Sequence, residues 1–267
     1  MALAQEVADR GGMIKGRISV WGEEAARILF PPACPGCRRI VSAPGTLCGR
    51  CWPHLRMIEH PVCPVYGTPF PHDMGEGFLS AEAIANPPPF ARCRSAAAYE
   101  GTARRLVQAL KYNDRTDLAR WMAGWMHRAG HDLICDADVI VPVPLHPWRF
   151  FRRRFNQSAE LGRALAGRTG LPFRPEALER RRRTAQQVGL ARSEREANVR
   201  GAFRVPDTML AEVHGRRILL VDDVYTTGAT VNAATRALKR AKAEDVDVLT
   251  FARVLPGDFQ SLSGGPI

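Results

Sequence analysis

From Phe90 onward the chain alternates two hydrophobic rhythms. Ser95–Tyr99, Asp138–Val143 (Val139, Ile140, Val141, Val143), Arg216–Val221 and Val246–Val254 are short, nearly continuous apolar runs. Their length and β-branched content predict strands buried on both faces. Between them apolar residues recur at helical spacing. Leu106, Val107 and Leu110 mark a helix over Thr102–Tyr112, and Leu118, Trp121, Met122 and Trp125 mark one over Asp117–Ala129. Leu161 and Leu165 mark a third over Ser158–Arg168, and Val231, Ala234, Leu238 and Ala241 a fourth after Gly228. Trp121 and Trp125 are expected in the core. Strand followed by helix, repeated, predicts an α/β domain with a Rossmann-like parallel sheet and helices on both faces.

Upstream the rhythm breaks. Pro61, Pro64, Pro69, Pro71, Pro87, Pro88 and Pro89 punctuate residues 61–90, which predicts linker or irregular structure. A short helix over Trp21–Phe30 is expected to stop at Pro31-Pro32. The expected organisation is an N-terminal segment 1–30, a second region 31–89, the α/β domain 90–255 and a frayed tail 256–267.

At 267 residues and 45% apolar content, the chain suits one sizeable domain with a small appendage. No apolar run approaches the ~18 residues of a membrane span. Residues 1–22 lack the apolar stretch of a secretory leader and carry Glu6 and Asp9, so a cytoplasmic location is expected. That setting favours metal over disulfides for the cysteines. Four of the seven form Cys34-Pro35-Gly36-Cys37 and Cys48-Gly49-Arg50-Cys51. Each pair can chelate on a tight turn, and two pairs close a tetrahedral four-thiolate site, so one structural zinc is predicted. Cys63, Cys93 and Cys135 stand alone and are expected as small buried hydrophobes.

Charge sharpens the picture further. The net charge is +11, and residues 149–204 hold fifteen arginines and no lysine against five acids. Arginine favours planar, bidentate contact with phosphate. Arg149, Arg152, Arg153, Arg154, Asn156 and Gln157 are therefore candidates for holding nucleic acid or pyrophosphate. Trp148, Phe150, Phe151 and Phe155 lie among them as candidate stacking platforms for a single strand. A solvated surface is the bland alternative for the charge, and core packing for Phe155. The arginine-rich, weakly periodic Arg180–Arg204 predicts a mobile flap.

The organising stretch is Ile218–Thr230: an apolar strand, then Asp222-Asp223, then Val224-Tyr225-Thr226-Thr227-Gly228-Ala229-Thr230, then a helix. A small-residue loop opening a helix presents backbone N–H groups to a phosphate, and Gly228 permits close approach. The aspartates would repel that phosphate, so neutral ribose hydroxyls or Mg²⁺ suit them better. No lysine follows the glycine, which excludes a Walker loop, and no G-x-G-x-x-G is present. The order resembles the phosphoribosyl pyrophosphate (PRPP) signature of type I phosphoribosyltransferases.

With the two C-x-x-C pairs, Leu110-Lys111-Tyr112, Val141-Pro142-Val143-Pro144-Leu145, Arg153-Arg154-Phe155-Asn156-Gln157 and the Gln187…Asn198-Val199 segment before Gly201-Ala202-Phe203, the chain resembles the ComF (competence protein F, or GntX-like) family over residues 31–255. The resemblance implies a type I phosphoribosyltransferase fold behind a zinc ribbon. Asp222 and Asp223 would hold the ribose 2′- and 3′-hydroxyls and take part in catalysis, Thr226–Thr230 would hold the 5′-phosphate, and Val224 and Tyr225 would belong to the same PRPP-binding stretch. Val143, Pro144 and nearby arginines would hold Mg²⁺-pyrophosphate, with Lys111 as a further PRPP contact. Family members often carry a second C-x-x-C…C-x-x-C, whose places here fall on Cys63, Tyr66, Ser80 and Ala83, so a second zinc is not expected. Two functions stay open. One is an enzyme moving phosphoribosyl from PRPP to an acceptor, linked to DNA uptake in natural transformation. The other is a non-catalytic single-stranded-DNA-binding competence factor, working with DNA-uptake proteins and using the PRPP fold as sensor or scaffold.

Overall fold

The computed structural model describes residues 31–112, 115–145, 155–181, 199 and 201–255. The expected helix at Trp21–Phe30, the tail 256–267 and most of the arginine-rich flap lie outside these residues. The chain divides into two compact units, Met1–Trp52 and Pro53–Ile267.

The described part of the first unit is a knuckle. Its two arms bridge at Ala33 and Ile40. The Cys34 N–H donates to Arg39 O (2.7 Å) and the Arg38 N–H to Cys34 O (2.8 Å), turning the chain tightly around the first cysteine pair.

The second unit is built on a four-stranded parallel sheet in the order β1-β6-β5-β2, with β1 Cys93–Ala98, β2 Val139–Pro142, β5 Arg217–Tyr225 and β6 Asp245–Arg253. Among the described residues the complete helices are α1 (Ala81–Ala85), α2 (Gly101–Tyr112), α3 (Asp117–Ala129), α4 (His131–Asp136), α5 (Gln157–Thr169), α6 (Leu210–Val213) and α7 (Ala229–Arg240). On one face of the sheet Val139, Val141, Ile218, Leu220, Val246 and Val248 pack with Val231, Ala234 and Leu238 of α7. Residues of opposite parity meet the other layer. A Cβ on Gly162 of α5 would lie 3.4 Å from Ile140, and one on Gly130, after α3, 2.6 Å from Leu249. Helices thus cover both faces, as the continuous apolar runs require.

Three differences from the sequence expectations have physical causes. First, β5 runs on through Asp222 and Asp223 to Tyr225, because these residues still pair with β6 up to Arg253. Second, residues 61–90 are largely irregular, as one of the two expectations had it, but ordered by hydrogen bonds rather than a linker. Val62 bridges Pro69, and Ser80 caps α1 by accepting the Ala83 N–H at 3.3 Å. Pro64 sits in the turn after Cys63 and Pro69 in the bridge, so both are part of the structure instead of breaking it. Third, Cys63 and Cys93 are buried but Cys135 is exposed, with its Sγ 3.8 Å from His131 Nε2. Trp121 and Trp125 are half-buried and stack edge-on against each other at 5.7 Å, beside the fully buried Met122. The remaining strands form a two-stranded antiparallel ribbon, β3 (Glu179–Arg180) with β4 (Phe203–Arg204). It ties together the two ends of the arginine-rich segment.

Candidate functional site

In the first unit the thiols of Cys34, Cys37, Cys48 and Cys51 all lie within 4.8 Å of one another. Cys37 and Cys48 Sγ are 3.5 Å apart. A tetrahedron with Zn–S bonds of about 2.3 Å has S···S edges of about 3.8 Å, so the four sulfurs fit zinc. The Cys48 N–H also donates to Cys34 Sγ at 3.3 Å, the kind of contact that steadies a thiolate ligand. Burial opposes ionisation of Cys48, but hydrogen bonds from Cys51, Cys37, Arg50 and Cys34 outweigh it and pull its thiol down to about 6. Burial and the neighbouring thiols push Cys51 up to about 12. Among the described residues this is the one cluster of potential metal ligands.

In the second unit the candidate site forms at the C-terminal edge of the sheet, where α/β folds present their loops. Strand β5 delivers the acidic pair, and each acid meets a different helix. Ser158 Oγ, at the start of α5, donates to Asp222 Oδ1 at 2.7 Å, and the Asp223 N–H donates to the same oxygen at 2.9 Å. Lys111 Nζ, at the end of α2, lies 3.0 Å from Asp223 Oδ2, with the two side chains 21% and 12% exposed. Lys111 is therefore a member of the cluster. Burial, and then the charge of Asp223, push Asp222 up to about 7, against the opposing pull of Ser158 and Lys111. Burial disfavours the Lys111 ammonium, but the charge and hydrogen bond of Asp223 outweigh it and hold Lys111 above its ordinary value.

The loop after β2 joins the same edge. The Val143 N–H donates to Val221 O at 2.9 Å, docking the Pro142-Val143-Pro144 turn beside β5. Asn156 Nδ2 donates to Val143 O at 3.0 Å, while Asn156 Oδ1 accepts the Ser158 N–H at 3.1 Å. Asn156 thus caps α5 and ties it to the proline loop, and Gln157 is 1% exposed. Arg149, Arg152, Arg153 and Arg154 lie outside the described residues, as do Trp148, Phe150 and Phe151.

Thr226–Thr230 form the turn into α7. Gly228 is the N-cap in the left-handed region, φ 76°, and a Cβ there would lie 2.3 Å from the Tyr225 hydroxyl. Only glycine fits. The first N–H groups of α7 have no partner within the helix. The Thr227 hydroxyl is buried with no hydrogen-bond partner among the described residues. An orphaned donor beside a helix N-terminus suits an anion. Reading the residues alone missed Ser158, although a polar residue straight after an N-cap Asn at the sheet's ligand edge was the available signal.

A second concave surface lies between α3 and α5. It is a groove of about 640 Å³ bordered by Thr116, Arg120, His127, Glu160, Arg163 and Arg168. It begins near Glu160, two residues from Ser158.

Two family descriptions match: a double zinc ribbon domain over residues 25–84 and a phosphoribosyl transferase domain over residues 158–258. The chain is 31% identical over 234 residues to the DNA utilization protein YhgH of Escherichia coli K12, covering 85% of this chain and 100% of that protein. It is 31% identical over 153 residues to competence protein F of Haemophilus influenzae, covering 55% and 66% of the two chains. It is 32% identical over 113 residues to competence protein ComFC of Streptococcus pneumoniae, covering 42% and 47%. Among solved structures, the allosteric regulatory enzyme of purine biosynthesis overlays 54% of this chain and 30% of its own, at 25% identity and a TM-score of 0.35. With a four-cysteine knuckle ahead of a parallel sheet whose edge carries Asp222-Asp223 and the Gly228 turn, with the DNA utilization protein matching over 85% of its length and competence protein F over 55%, the chain belongs to the ComF (competence protein F) family, a phosphoribosyltransferase-type domain behind a zinc ribbon.

Proposed function

We propose that the chain binds Mg²⁺-PRPP at the edge formed by β5, α2, α5 and α7 and transfers its phosphoribosyl group to an acceptor. The observation that carries this reading is the joining of Asp222 and Asp223 to an anion-accepting turn at Thr226–Thr230 on consecutive residues of one strand and helix. The carboxylates accept hydrogen bonds from the ribose 2′- and 3′-hydroxyls. The loop amides and Thr227 donate to the 5′-phosphate. Ser158 keeps Asp222 oriented, and Lys111 swings from Asp223 toward incoming phosphate. The Val143-Pro144 turn and arginine stabilise the departing pyrophosphate, where most of the new charge develops. Mg²⁺ supplies further charge neutralisation on that group. Titration calorimetry with PRPP in the presence and absence of Mg²⁺ tests the reading. Binding that requires Mg²⁺ supports it, and no heat at millimolar PRPP would sink it.

A second reading is favoured by the groove between α3 and α5. Arg120, Arg163, Arg168 and His127 face one acid, Glu160, which Arg163 pairs at 2.5 Å. The relatives are named for DNA utilization and competence. On this reading the groove carries single-stranded DNA along its phosphates, and the PRPP edge serves as sensor or as the place where a strand end is modified.

A further inference from the structure

The segment from Pro61 to Ala85 repeats the hydrogen bonding of the zinc knuckle. The Cys63 N–H donates to Thr68 O and the Gly67 N–H to Cys63 O, both at 2.8 Å, as Cys34 and Arg38 do in the first knuckle at 2.7 and 2.8 Å. Val62 bridges Pro69 as Ala33 bridges Ile40. Gly67 and Arg38 share a left-handed φ of 65° and 63°. The Ser80 N–H donates to Cys63 Sγ at 3.5 Å, just as the Cys48 N–H donates to Cys34 Sγ at 3.3 Å. In this register the places of Cys37, Cys48 and Cys51 are taken by Tyr66, Ser80 and Ala83. One thiol cannot hold a metal, so something else closes the turn.

That element is Tyr66, 2% exposed. Its hydroxyl donates to Asn86 O at 2.7 Å. Its ring meets Phe90 edge-on at 5.7 Å and Tyr225 at 6.3 Å, and Phe90 meets Tyr225 at 6.4 Å. Arg253 lies over the Tyr225 ring at 5.0 Å and donates to Tyr66 O. The knuckle is also pinned to β1. The Cys93 N–H donates to Val65 O at 2.7 Å, and Gly67 presses so closely on Cys93 O that a Cβ would sit 2.2 Å away. Tyr225 is the residue before Thr226, and its hydroxyl fills the space a side chain at Gly228 would need.

We propose that Tyr66 stands in for the absent metal of the second knuckle and is a positioning residue for the phosphate loop: its ring fixes Tyr225, and Tyr225 fixes the turn at Gly228. The proposal rests on reading Thr226–Thr230 as the 5′-phosphate site. Positioning matters at this scale: a misplacement of about 1 Å from a change far from the chemistry can cost about 10²-fold in rate. The ring, not the hydroxyl, is the working part, since the hydroxyl points to Asn86.

The test titrates the full zinc-loaded chain with ribose 5-phosphate and, separately, with Mg²⁺-pyrophosphate. Tyr66→Leu is expected to weaken ribose 5-phosphate about tenfold, which is about 1.4 kcal/mol. It should leave pyrophosphate within twofold and zinc at one per chain. Tyr66→Phe keeps the rings and is expected to stay within twofold of the wild type for both ligands. Equal ribose 5-phosphate affinity in Tyr66→Leu, or equal loss of both ligands, overturns the role of Tyr66 alone. A wild-type chain that binds neither ligand overturns the PRPP reading as well. Hydrogen exchange on the unsubstituted protein needs no variant to fold. The amides of Gly67 and Thr68 should slow on adding ribose 5-phosphate and not on adding pyrophosphate, and no change with either ligand overturns the coupling.

Discussion

Asp222 carries a proton at a pH where an ordinary aspartate has long lost it. Its folded-state value, about 7, lies above the unfolded value, so the folded chain holds the extra proton between about pH 4 and 7. The stability this gives is complete below about pH 4 and is lost as pH rises through about 7. Asp222→Asn should therefore be the more stable protein at pH 8 and lose that advantage toward pH 5, as read from melting temperatures of both chains across that range. On the proposed PRPP reading, ligand binding runs the other way, because ribose hydroxyls and Mg²⁺ would need the carboxylate. PRPP affinity should rise between pH 6 and 8 and release protons on binding, and a flat calorimetric profile in buffers of different ionisation heat would contradict this. Asp223 has a different neighbour. Asp223→Asn leaves the mostly buried Lys111 ammonium facing a neutral amide, so it should cost roughly 1–3 kcal/mol in urea unfolding as well as PRPP affinity. If Lys111→Met in the same chain fails to recover part of that cost, the ion pair is not its origin.

At the scale of elements, the two knuckles make a natural comparison. Cys37→Ser removes one of four ligands, and zinc binding and local folding are one equilibrium there. Zinc content should fall from one per chain toward zero, as elemental analysis reads. The converse substitution, Tyr66→Cys with Ser80→Cys and Ala83→Cys, should raise it to two, because the N–H groups that steady a thiolate already surround Cys63. A count that stays at one would show that the second turn has drifted from zinc geometry. The sheet and its helices were legible in the sequence because period and length carry them: Asp117–Ala129 begins and ends where its apolar spacing says. The acidic pair was legible for the same reason, as it follows a strand and precedes a helix. The second knuckle was legible only through the family resemblance, which puts its four metal positions on Cys63, Tyr66, Ser80 and Ala83. Its order comes from hydrogen bonds and from rings at 66, 90 and 225, which no local pattern connects, while its prolines and glycines imitate a linker. Ser158 shares that difficulty, since it reaches Asp222 from a separate helix, while Lys111 was reached through the resemblance and not through any local pattern. The six-residue α4 is too short for its period to show.

Over the whole molecule, charge and topology set the behaviour. If single-stranded DNA lies in the groove between α3 and α5, Arg120→Ala with Arg168→Ala should weaken binding of an oligonucleotide uniformly across sequences. The pair should also flatten the salt dependence by about 0.7 for each phosphate no longer neutralised, as fluorescence anisotropy at two salt concentrations measures. Unchanged affinity would clear the groove of that role. The strand order has a separate consequence. In β1-β6-β5-β2 the strand latest in the chain lies between two earlier ones, and β1 meets β6 across 155 residues, as at Ser95 and Thr250. A ribosome releasing this polypeptide therefore delivers β1, β2 and β5 before the strand that joins them. Until then, among the described residues, β1 has the Arg56–Ile58 stretch along its outer edge, through the Ala98 N–H to Arg56 O and the Ile58 N–H to Ala96 O. Closing so long a loop is slow. The nascent chain must emerge with its central seam open and unpaired strand edges exposed, a period in which chaperone capture competes with sheet closure.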